Sequence, residues 1–250
     1  MTTPRLVAFD LDDTLAASKS PIEPRIAALL LALAERVEVA IISGGNEEQF
    51  RTQVVSRLGA DVSALQRIHL LPTCGTRYLA HDGSGFSLVY ARDLSPAQKD
   101  EALAALEEEA QRLGLWESET WGPILEDRGS QITFSALGQK APHDAKKAWD
   151  PDGSRRAALR DAVAPRVPDL EVRSGGSTSI DITRAGIDKA YGMTELAERT
   201  GIPFAEMLFY GDRLDEGGND YPVKTLGVPC VAVDGWQDTA DKLDALLPTL

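Results

Sequence analysis

The chain has 250 residues, 43% of them hydrophobic, and a formal net charge of −13. This length is enough for a full core, in one domain with a large insertion or in two domains. The acidic balance argues against nucleic acid as a partner, because the protein would repel phosphates. Cys74 and Cys230 have no CxxC spacing, so we expect free thiols rather than a zinc site or a disulfide framework.

Apolar runs of strand length alternate with helix patterns at both ends of the chain. Runs that are nearly continuous in hydrophobicity predict parallel strands covered on both faces. Asp188 and Gly201 are typical flanking residues of a helix at 189–200. The alternation predicts a Rossmann-like, doubly wound parallel α/β sheet. The predicted strands are 5–9, 37–42, 67–71, 206–210 and 228–233, and the predicted helices are 24–36, 47–58, 189–200 and 237–247.

The middle of the chain has a different pattern. A hairpin at 78–94 precedes a helix that ends at Gly114, with Ser95 as N-cap and Gln98 completing a capping box. We therefore expect an inserted α+β cap domain. Shorter strands are predicted near 123–127, 131–137, 169–173 and 178–183, with a polar helix at 154–164; the cap domain covers 90–186, and the catalytic core covers 1–89 and 187–250.

Three aspartates follow the first strand in "LVAFDLDDTLAAS", at Asp10, Asp12 and Asp13. Ionised carboxylates this close together repel one another, and burying them is costly. They are therefore either ordinary capping acids of a surface turn or a cluster that holds a cation. Other polar residues are predicted at the same edge of the sheet as these aspartates, and they favour the interpretation as a cation-binding cluster.

Ligands of parallel α/β sheets bind at the carboxyl ends of the strands. Ser43 follows the second strand, Asp212 follows 206–210, and Lys189 begins a helix that would open onto the same edge. These groups suit phosphoryl transfer through an aspartyl-phosphate. A carboxylate is the nucleophile, Mg²⁺ takes oxygen ligands, and lysine and hydroxyl groups hold the transferring phosphoryl oxygens. A second acid donates a proton to the leaving group.

These residues resemble the motifs of the haloacid dehalogenase (HAD) superfamily. "DLDDTL" is similar to its DxDxT motif, and Ser43 in "AIISGG", Lys189 in "GIDKAYG" and "GDRLDEGGND" at 211–220 are similar to its second, third and fourth motifs, in the same order. "GGSTSIDI" and "LEDRGSQITFSALG" resemble the eukaryote-type phosphomannomutase branch, which carries a type IIB cap. The similarity covers nearly the whole chain and is thinner across 95–120.

The resemblance implies a role for each core residue. Asp10 would be the nucleophile and Asp12 the general acid/base, whereas Asp13 would face solvent with no catalytic role. Thr14 would fix the turn after the first strand. The implied Mg²⁺ ligands are Asp10, the backbone carbonyl of Asp12, Asp212, Asn219 and Asp220, and the implied phosphoryl and substrate contacts are Thr14, Ser43, Gly44 and Lys189.

In this branch the cap binds the far end of a sugar phosphate, and the resemblance implies that Arg128, Ser179 and Asp181 contact it. Where the family has cap arginines for the distal phosphate, this sequence has Gln139 and Lys146. Glutamine carries no charge, and lysine lacks the bidentate fork of arginine. A phosphatase acting on a phosphorylated small metabolite is therefore favoured over a phosphohexomutase. Dimerisation through the cap would also follow from the resemblance.

Two functions other than catalysis are less well supported by the sequence. A phospho-receiver module would carry its acceptor aspartate on the third strand, which here ends "LLPTCG" without one. A catalytically silent sugar-phosphate sensor lacks support, because every core catalytic position is filled. The apolar run at 26–34 is too short to span a bilayer, and the first residues carry no export signal. We expect a soluble cytoplasmic enzyme with no membrane partner.

Overall fold

Buried strands alternate with helices up to Ala91 in the computed structural model, which describes residues 3–59 and 61–250. Nearly every residue of β1, β2 and β3 is buried, as their continuous apolar sequences predict. The elements are β1 (Leu6–Phe9), α1 (Pro24–Ala34), β2 (Glu38–Ile42), α2 (Glu47–Gln53), α3 (Val62–Leu65), β3 (Ile68–Leu71), β4 (Arg77–His81) and β5 (Phe86–Ala91).

A second set of elements follows between Arg92 and Gly186. Its first helix has the predicted capping box, in which Ser95 and Gln98 each accept from the other's backbone N–H. The elements are α4 (Pro96–Arg112), β6 (Leu125–Asp127), β7 (Gln131–Ser135), α5 (His143–Trp149), α6 (Ser154–Val163), β8 (Leu170–Ser174) and β9 (Ser179–Arg184).

The last part of the chain returns to alternating helices and strands. The predicted helix at 189–200 is present, with Asp188 accepting from the Tyr191 N–H and Gly201 at a φ of 68°. The elements are α7 (Lys189–Thr200), β10 (Met207–Gly211), α8 (Tyr221–Thr225), β11 (Cys230–Ala232) and α9 (Trp236–Leu246).

The sheet formed by the two ends of the chain has the order β11-β10-β1-β2-β3-β4-β5. Its strands from β11 to β3 are parallel, whereas the β4–β5 hairpin extends the sheet in antiparallel fashion. Helices and apolar clusters cover both faces of the parallel part. The predicted α/β fold class is confirmed.

The described part of the chain divides into two compact units, Met1–Ala91 with Ile187–Leu250, and Arg92–Gly186. We call these the core unit and the inserted unit. The inserted unit has an antiparallel sheet of order β6-β7-β9-β8, whose apolar face packs against α4 and α6 in a core of its own.

The short helices α3 and α8 were not predicted, and the predictions differ from the structure at two longer helices as well. The helix predicted at 47–58 ends at Gln53 and continues as a separate 3₁₀ turn, Val55–Arg57. The β-branched pair Val54 and Val55 at this break is a poor continuation of a helix. Helix α5 was not predicted, because its sequence "HDAKKAW" has too few apolar residues to show a helical period.

Two expectations from composition can be compared directly with the structure. Cys74 and Cys230 are both free thiols, as predicted. Among the residues that the structure describes, no helix is long and apolar enough to cross a bilayer.

Candidate active site

The carboxyl ends of β1, β2 and β10 bring the predicted core residues to one edge of the sheet. Asp10 follows β1, and its backbone N–H donates to the Tyr210 carbonyl at 2.9 Å, which extends the β1–β10 pairing by one residue. Ser43 follows β2, the other neighbour of β1 in the sheet, and Asp212 follows β10. These side chains therefore share the edge at which parallel sheets bind ligands.

Lys189 lies at the first position of α7 and is buried between two aspartates. Its Nζ lies 2.6 Å from Asp10 Oδ1 and 2.6 Å from Asp220 Oδ1, and all three side chains are at most 4% exposed. The two carboxylates raise the pKa of Lys189 above its ordinary value, against the effect of burial. The lysine is therefore a fixed positive charge in the centre of the site.

Asp10, Asp212 and Asp220 form an acidic cluster in which one carboxylate oxygen from each residue lies within 4.8 Å of the others. Burial raises the pKa of Asp10, opposed by Lys189 and reinforced by Asp220. Burial also raises the pKa of Asp212, and Asp220 adds to that shift. Three carboxylates around one ammonium leave an excess of negative charge. The set therefore fits a hard divalent cation, which prefers carboxylate oxygens.

The loop after β10 holds the acidic cluster through backbone contacts. Asp220 Oδ2 accepts from the Arg213 N–H at 3.0 Å. A Cβ on Gly211 would lie 2.4 Å from the same oxygen, so only glycine leaves room for the Asp220 carboxylate. Thr14 Oγ1 lies 3.4 Å from Asp212 Oδ1, and Thr239 Oγ1 donates to the Thr14 carbonyl at 2.7 Å. Thr14 thus links the turn after β1 to this loop.

Asp12 is held by hydrogen bonds that sequence reasoning missed. Its carboxylate accepts from the Lys19 N–H at 2.6 Å, from Gln49 Nε2 at 3.0 Å and from Gln53 Nε2 at 3.4 Å. Gln49 and Gln53 are one helical turn apart on α2, so they share a face. That i, i+4 polar pair, on the helix that follows Ser43, is the signal that could have identified them. Asp13 is exposed at a φ of 59°, which aspartate tolerates better than most residues.

The other residues predicted for the core site differ in how deeply they are buried. Ser43 is buried, and its Oγ accepts from the Gly45 N–H at 3.1 Å. At Gly44 the space that a Cβ would take is open, so a ligand can approach the backbone there. Asn219 is exposed, unlike its neighbour Asp220, so the structure gives its predicted role in the metal site no support.

The predicted cap residues form two groups within the inserted unit. In the first, Arg128 contacts Glu126 Oε2 through Nε at 2.9 Å and Nη2 at 2.8 Å, and its Nη2 lies 3.4 Å from Gln139 Oε1. Lys146 Nζ donates to the Gln139 carbonyl at 3.1 Å. Arg128 and Lys146 therefore both lie beside Gln139, and Glu126 is a partner that the sequence did not suggest.

The second group is on the sheet of the inserted unit. Asp181 Oδ1 accepts from Thr133 Oγ1 at 2.7 Å and from Gln131 Nε2 at 2.8 Å. Ser179 lies two residues before Asp181 on β9, so the two side chains share a face of the sheet. In the strand register Asp181 is opposite Thr133, which is opposite Glu126, so this polar face also carries the partner of Arg128.

Several solved structures have a fold similar to that of this chain. A haloacid dehalogenase-like hydrolase from Bacteroides thetaiotaomicron superposes with a TM-score of 0.62 at 17% identity, covering 98% of this chain and 100% of that one. IMP-bound IMP-nucleotidase from Plasmodium falciparum superposes with a TM-score of 0.70 at 13% identity, covering 99% of this chain and 69% of that one. At these identities the likeness concerns the fold.

Sequence comparison points to one family. The profile of the eukaryotic phosphomannomutase family matches residues 119–249. A phosphomannomutase from Saccharomyces cerevisiae is 34% identical over 115 residues, which cover 42% of this chain and 44% of the yeast protein. A probable phosphomannomutase from Caenorhabditis elegans is 23% identical over the full length of both chains. The chain therefore belongs to the eukaryotic phosphomannomutase family.

Proposed function

We propose that this enzyme transfers a phosphoryl group to and from Asp10, with a phosphorylated sugar as substrate and the inserted unit as a cap that recognises it. The observation that carries the proposal is the buried contact of Lys189 with both Asp10 and Asp220. A cation so placed opposes the rise that burial causes in the pKa of Asp10, and it is suited to holding a phosphoryl oxygen.

The proposed steps use groups at the same edge of the sheet. Asp10 Oδ attacks phosphorus, and the bond from phosphorus to the sugar oxygen breaks. Asp12 gives its proton to that leaving oxygen. In the second half, Asp12 takes the proton of the acceptor hydroxyl, whose oxygen attacks phosphorus and releases Asp10. The Ser43 hydroxyl and Lys189 Nζ hold the oxygens of the transferring group throughout.

The acidic cluster is proposed to hold Mg²⁺ through Asp10, Asp212 and Asp220, with the Asp12 backbone carbonyl as a further ligand. When bound, the ion would offset the repulsion between the Asp10 carboxylate and the incoming phosphate.

We infer that the acceptor is the sugar itself, so that the enzyme is a phosphohexomutase. Family membership supports this inference, and so does the contact of Arg128 and Lys146 with Gln139. The uncharged Gln139 therefore does not leave this part of the inserted unit without cations. A distal phosphate placed there would lie beside one guanidinium and one ammonium.

Hydrolysis is the second candidate, because Glu126 already occupies Arg128 with two short hydrogen bonds. If Glu126 kept the guanidinium engaged, the distal phosphate would lose its bidentate partner. Water would then replace the sugar as acceptor.

One assay separates the two functions. Purified enzyme with Mg²⁺ is given mannose 1-phosphate or glucose 1-phosphate, with and without a trace of hexose 1,6-bisphosphate, and the 6-phosphate isomer and free phosphate are followed together. We expect isomer that depends on the bisphosphate. Free phosphate without isomer would establish the phosphatase instead. If neither product forms on a broad panel of sugar phosphates, the sugar substrate is wrong.

A further inference from the structure

A cavity of about 780 Å³ opens in the core unit at the edge of the sheet opposite the aspartates. Its lining includes Glu38, the first residue of β2, and Arg67, which directly precedes β3. Asp10 and Ser43 follow the other ends of β1 and β2, so this cavity is separate from the candidate active site. Its volume lies within the range of small-molecule pockets, about 300–1,000 Å³.

The lining is rich in arginine although the chain as a whole is strongly acidic. Arg5 pairs with Glu206 at 2.8 Å, and Arg67 pairs with Glu38 at 3.1 Å. Arg36 and Arg199 also line the cavity. Within the described residues, neither of these two forms an ion pair with a carboxylate.

The contacts of Arg36 and Arg199 are with a carbonyl group and with aromatic rings. Arg36 donates to the Leu247 carbonyl, a neutral acceptor. Arg199 lies over two aromatic rings, with its Cζ 4.9 Å from the centre of Tyr78 and 5.1 Å from that of Tyr90. Arg199 is exposed, so its guanidinium edge is open to a ligand.

The acidic group in the lining is already engaged. Glu38 Oε2 lies 3.0 Å from His69 Nε2, and His69 Nδ1 lies 2.7 Å from the Tyr78 hydroxyl. Against the effect of burial, the hydrogen bonds from His69 and Arg67 lower the pKa of Glu38, which keeps it ionised. Glu38 is therefore engaged by Arg67 and His69 rather than by Arg36 or Arg199.

We propose that this cavity binds a small organic phosphate. A phosphate monoester carries up to two negative charges near neutral pH, which matches the two guanidinium groups that form no ion pair within the described residues, and its oxygens suit their fork geometry. The cavity is larger than an inorganic phosphate needs. Val37, Val89 and Ile202 line it as well and offer apolar surface to the organic part of the ligand.

The test is calorimetric titration of the full-length protein in EDTA, where the acidic cluster at Asp10 repels anions. The probes are AMP, fructose 6-phosphate, 3-phosphoglycerate and inorganic phosphate. We expect at least one organic phosphate to bind more tightly than inorganic phosphate. In R36Q/R199Q this affinity should fall by at least about tenfold. The control variant R160Q, altered at an arginine of α6 in the inserted unit whose side chain is 42% exposed, loses the same single charge as R199Q and should bind normally.

Three results would overturn the proposal: no binding by any organic probe, equal or tighter binding of inorganic phosphate, or unchanged affinity in R36Q/R199Q. The last would place the binding elsewhere on the protein. If the double variant does not fold, R199Q alone serves the same comparison, because Arg199 is exposed and makes no ion pair within the described residues. The result is independent of the proposed function, which is read from turnover with Mg²⁺.

Discussion

At the scale of single residues, the candidate site depends on charges that few other residues could supply. Lys189 is almost fully buried, a rare state for lysine, and it persists because Asp10 and Asp220 both accept from it. Removing one member of such a buried set leaves the others uncompensated. Functional and structural roles therefore coincide at these positions, and test substitutions have to preserve volume.

Asp10→Asn should abolish the phosphorylated enzyme and lower kcat by at least about 10³-fold, because an amide oxygen is a poor nucleophile. Intact-protein mass spectrometry after an acid quench measures the phosphoryl adduct. Asp13→Asn is the matched control, since Asp13 is exposed and should leave both readouts unchanged. Turnover of Asp10→Asn at the wild-type rate would show that Asp10 is not the nucleophile.

Gln49→Ala should lower kcat by about tenfold with a smaller effect on KM, because Asp12 loses a hydrogen bond that orients it. The free energy of unfolding should change by only about 1 kcal/mol. Steady-state kinetics and urea unfolding measure the two effects. The neighbouring variant Glu48→Ala, at an exposed residue of α2, is the control. If the free energy of unfolding falls by at least as much as the activation free energy rises, Gln49 has a structural role alone.

At the scale of elements, helix α7 carries a residue of the candidate site and packs closely against the turn after β3. Its first residue is Lys189, and Gly192, one turn on, packs against the turn after β3. A Cβ on Gly192 would lie 2.4 Å from Ile42 Cδ1 and 2.6 Å from the Cys74 carbonyl oxygen, and a Cβ on Gly75 would lie 2.5 Å from Gly192 Cα. This close approach sets the position from which Lys189 reaches Asp10.

Gly192→Ala should destabilise the protein by about 1–3 kcal/mol, because the added methyl group has no space. Helix propensity alone predicts the opposite sign, a gain of about 1 kcal/mol. Activity should also fall, since the start of α7 would shift with Lys189. Urea unfolding and kcat measure both effects, and Glu198→Ala on the exposed face of α7 is the control. Increased stability would mean that the helix moves without strain.

At the scale of the whole molecule, the two units have separate apolar cores. Phe134 belongs to the core of the inserted unit, and Phe50 belongs to that of the core unit. Both side chains are at most 1% exposed. A cavity made in one apolar core should therefore lower mainly the stability of the unit that contains it.

Phe134→Ala should cost about 3–5 kcal/mol, mostly as a loss of stability in the inserted unit. Hydrogen exchange followed by mass spectrometry should show faster exchange within 92–186 and little change in β1, β2 and β10. Phe50→Ala is the reciprocal variant and should give the reverse pattern. Uniformly faster exchange in either variant would show that the two units unfold together.

The excess of negative charge at the acidic cluster predicts stabilisation by metal. At about 100 times its dissociation constant Mg²⁺ should add about 2.7 kcal/mol, or roughly 5–10 °C in Tm, relative to EDTA. Asp212→Asn should remove most of this rise. Asp215→Asn, at an exposed residue of the same loop, should retain it. An equal rise in both variants would place the metal away from Asp212.

The sequence by itself determined the features that depend on neighbouring residues. The α7 boundaries follow from Asp188 and Gly201, the capping box from Ser95 and Gln98, and the parallel strands from continuous apolar runs. The same holds for the placement of Asp10, Ser43 and Asp212 at strand ends, since the end of an apolar run is visible locally. What the tertiary structure alone decided are contacts between distant segments. Packing brings Lys189 between Asp10 and Asp220, places Gln49 and Gln53 against Asp12, and brings Arg36 and Arg199 to the lining of one cavity. These contacts depend on where the sheet and its helices place each side chain in space, which no local pattern records.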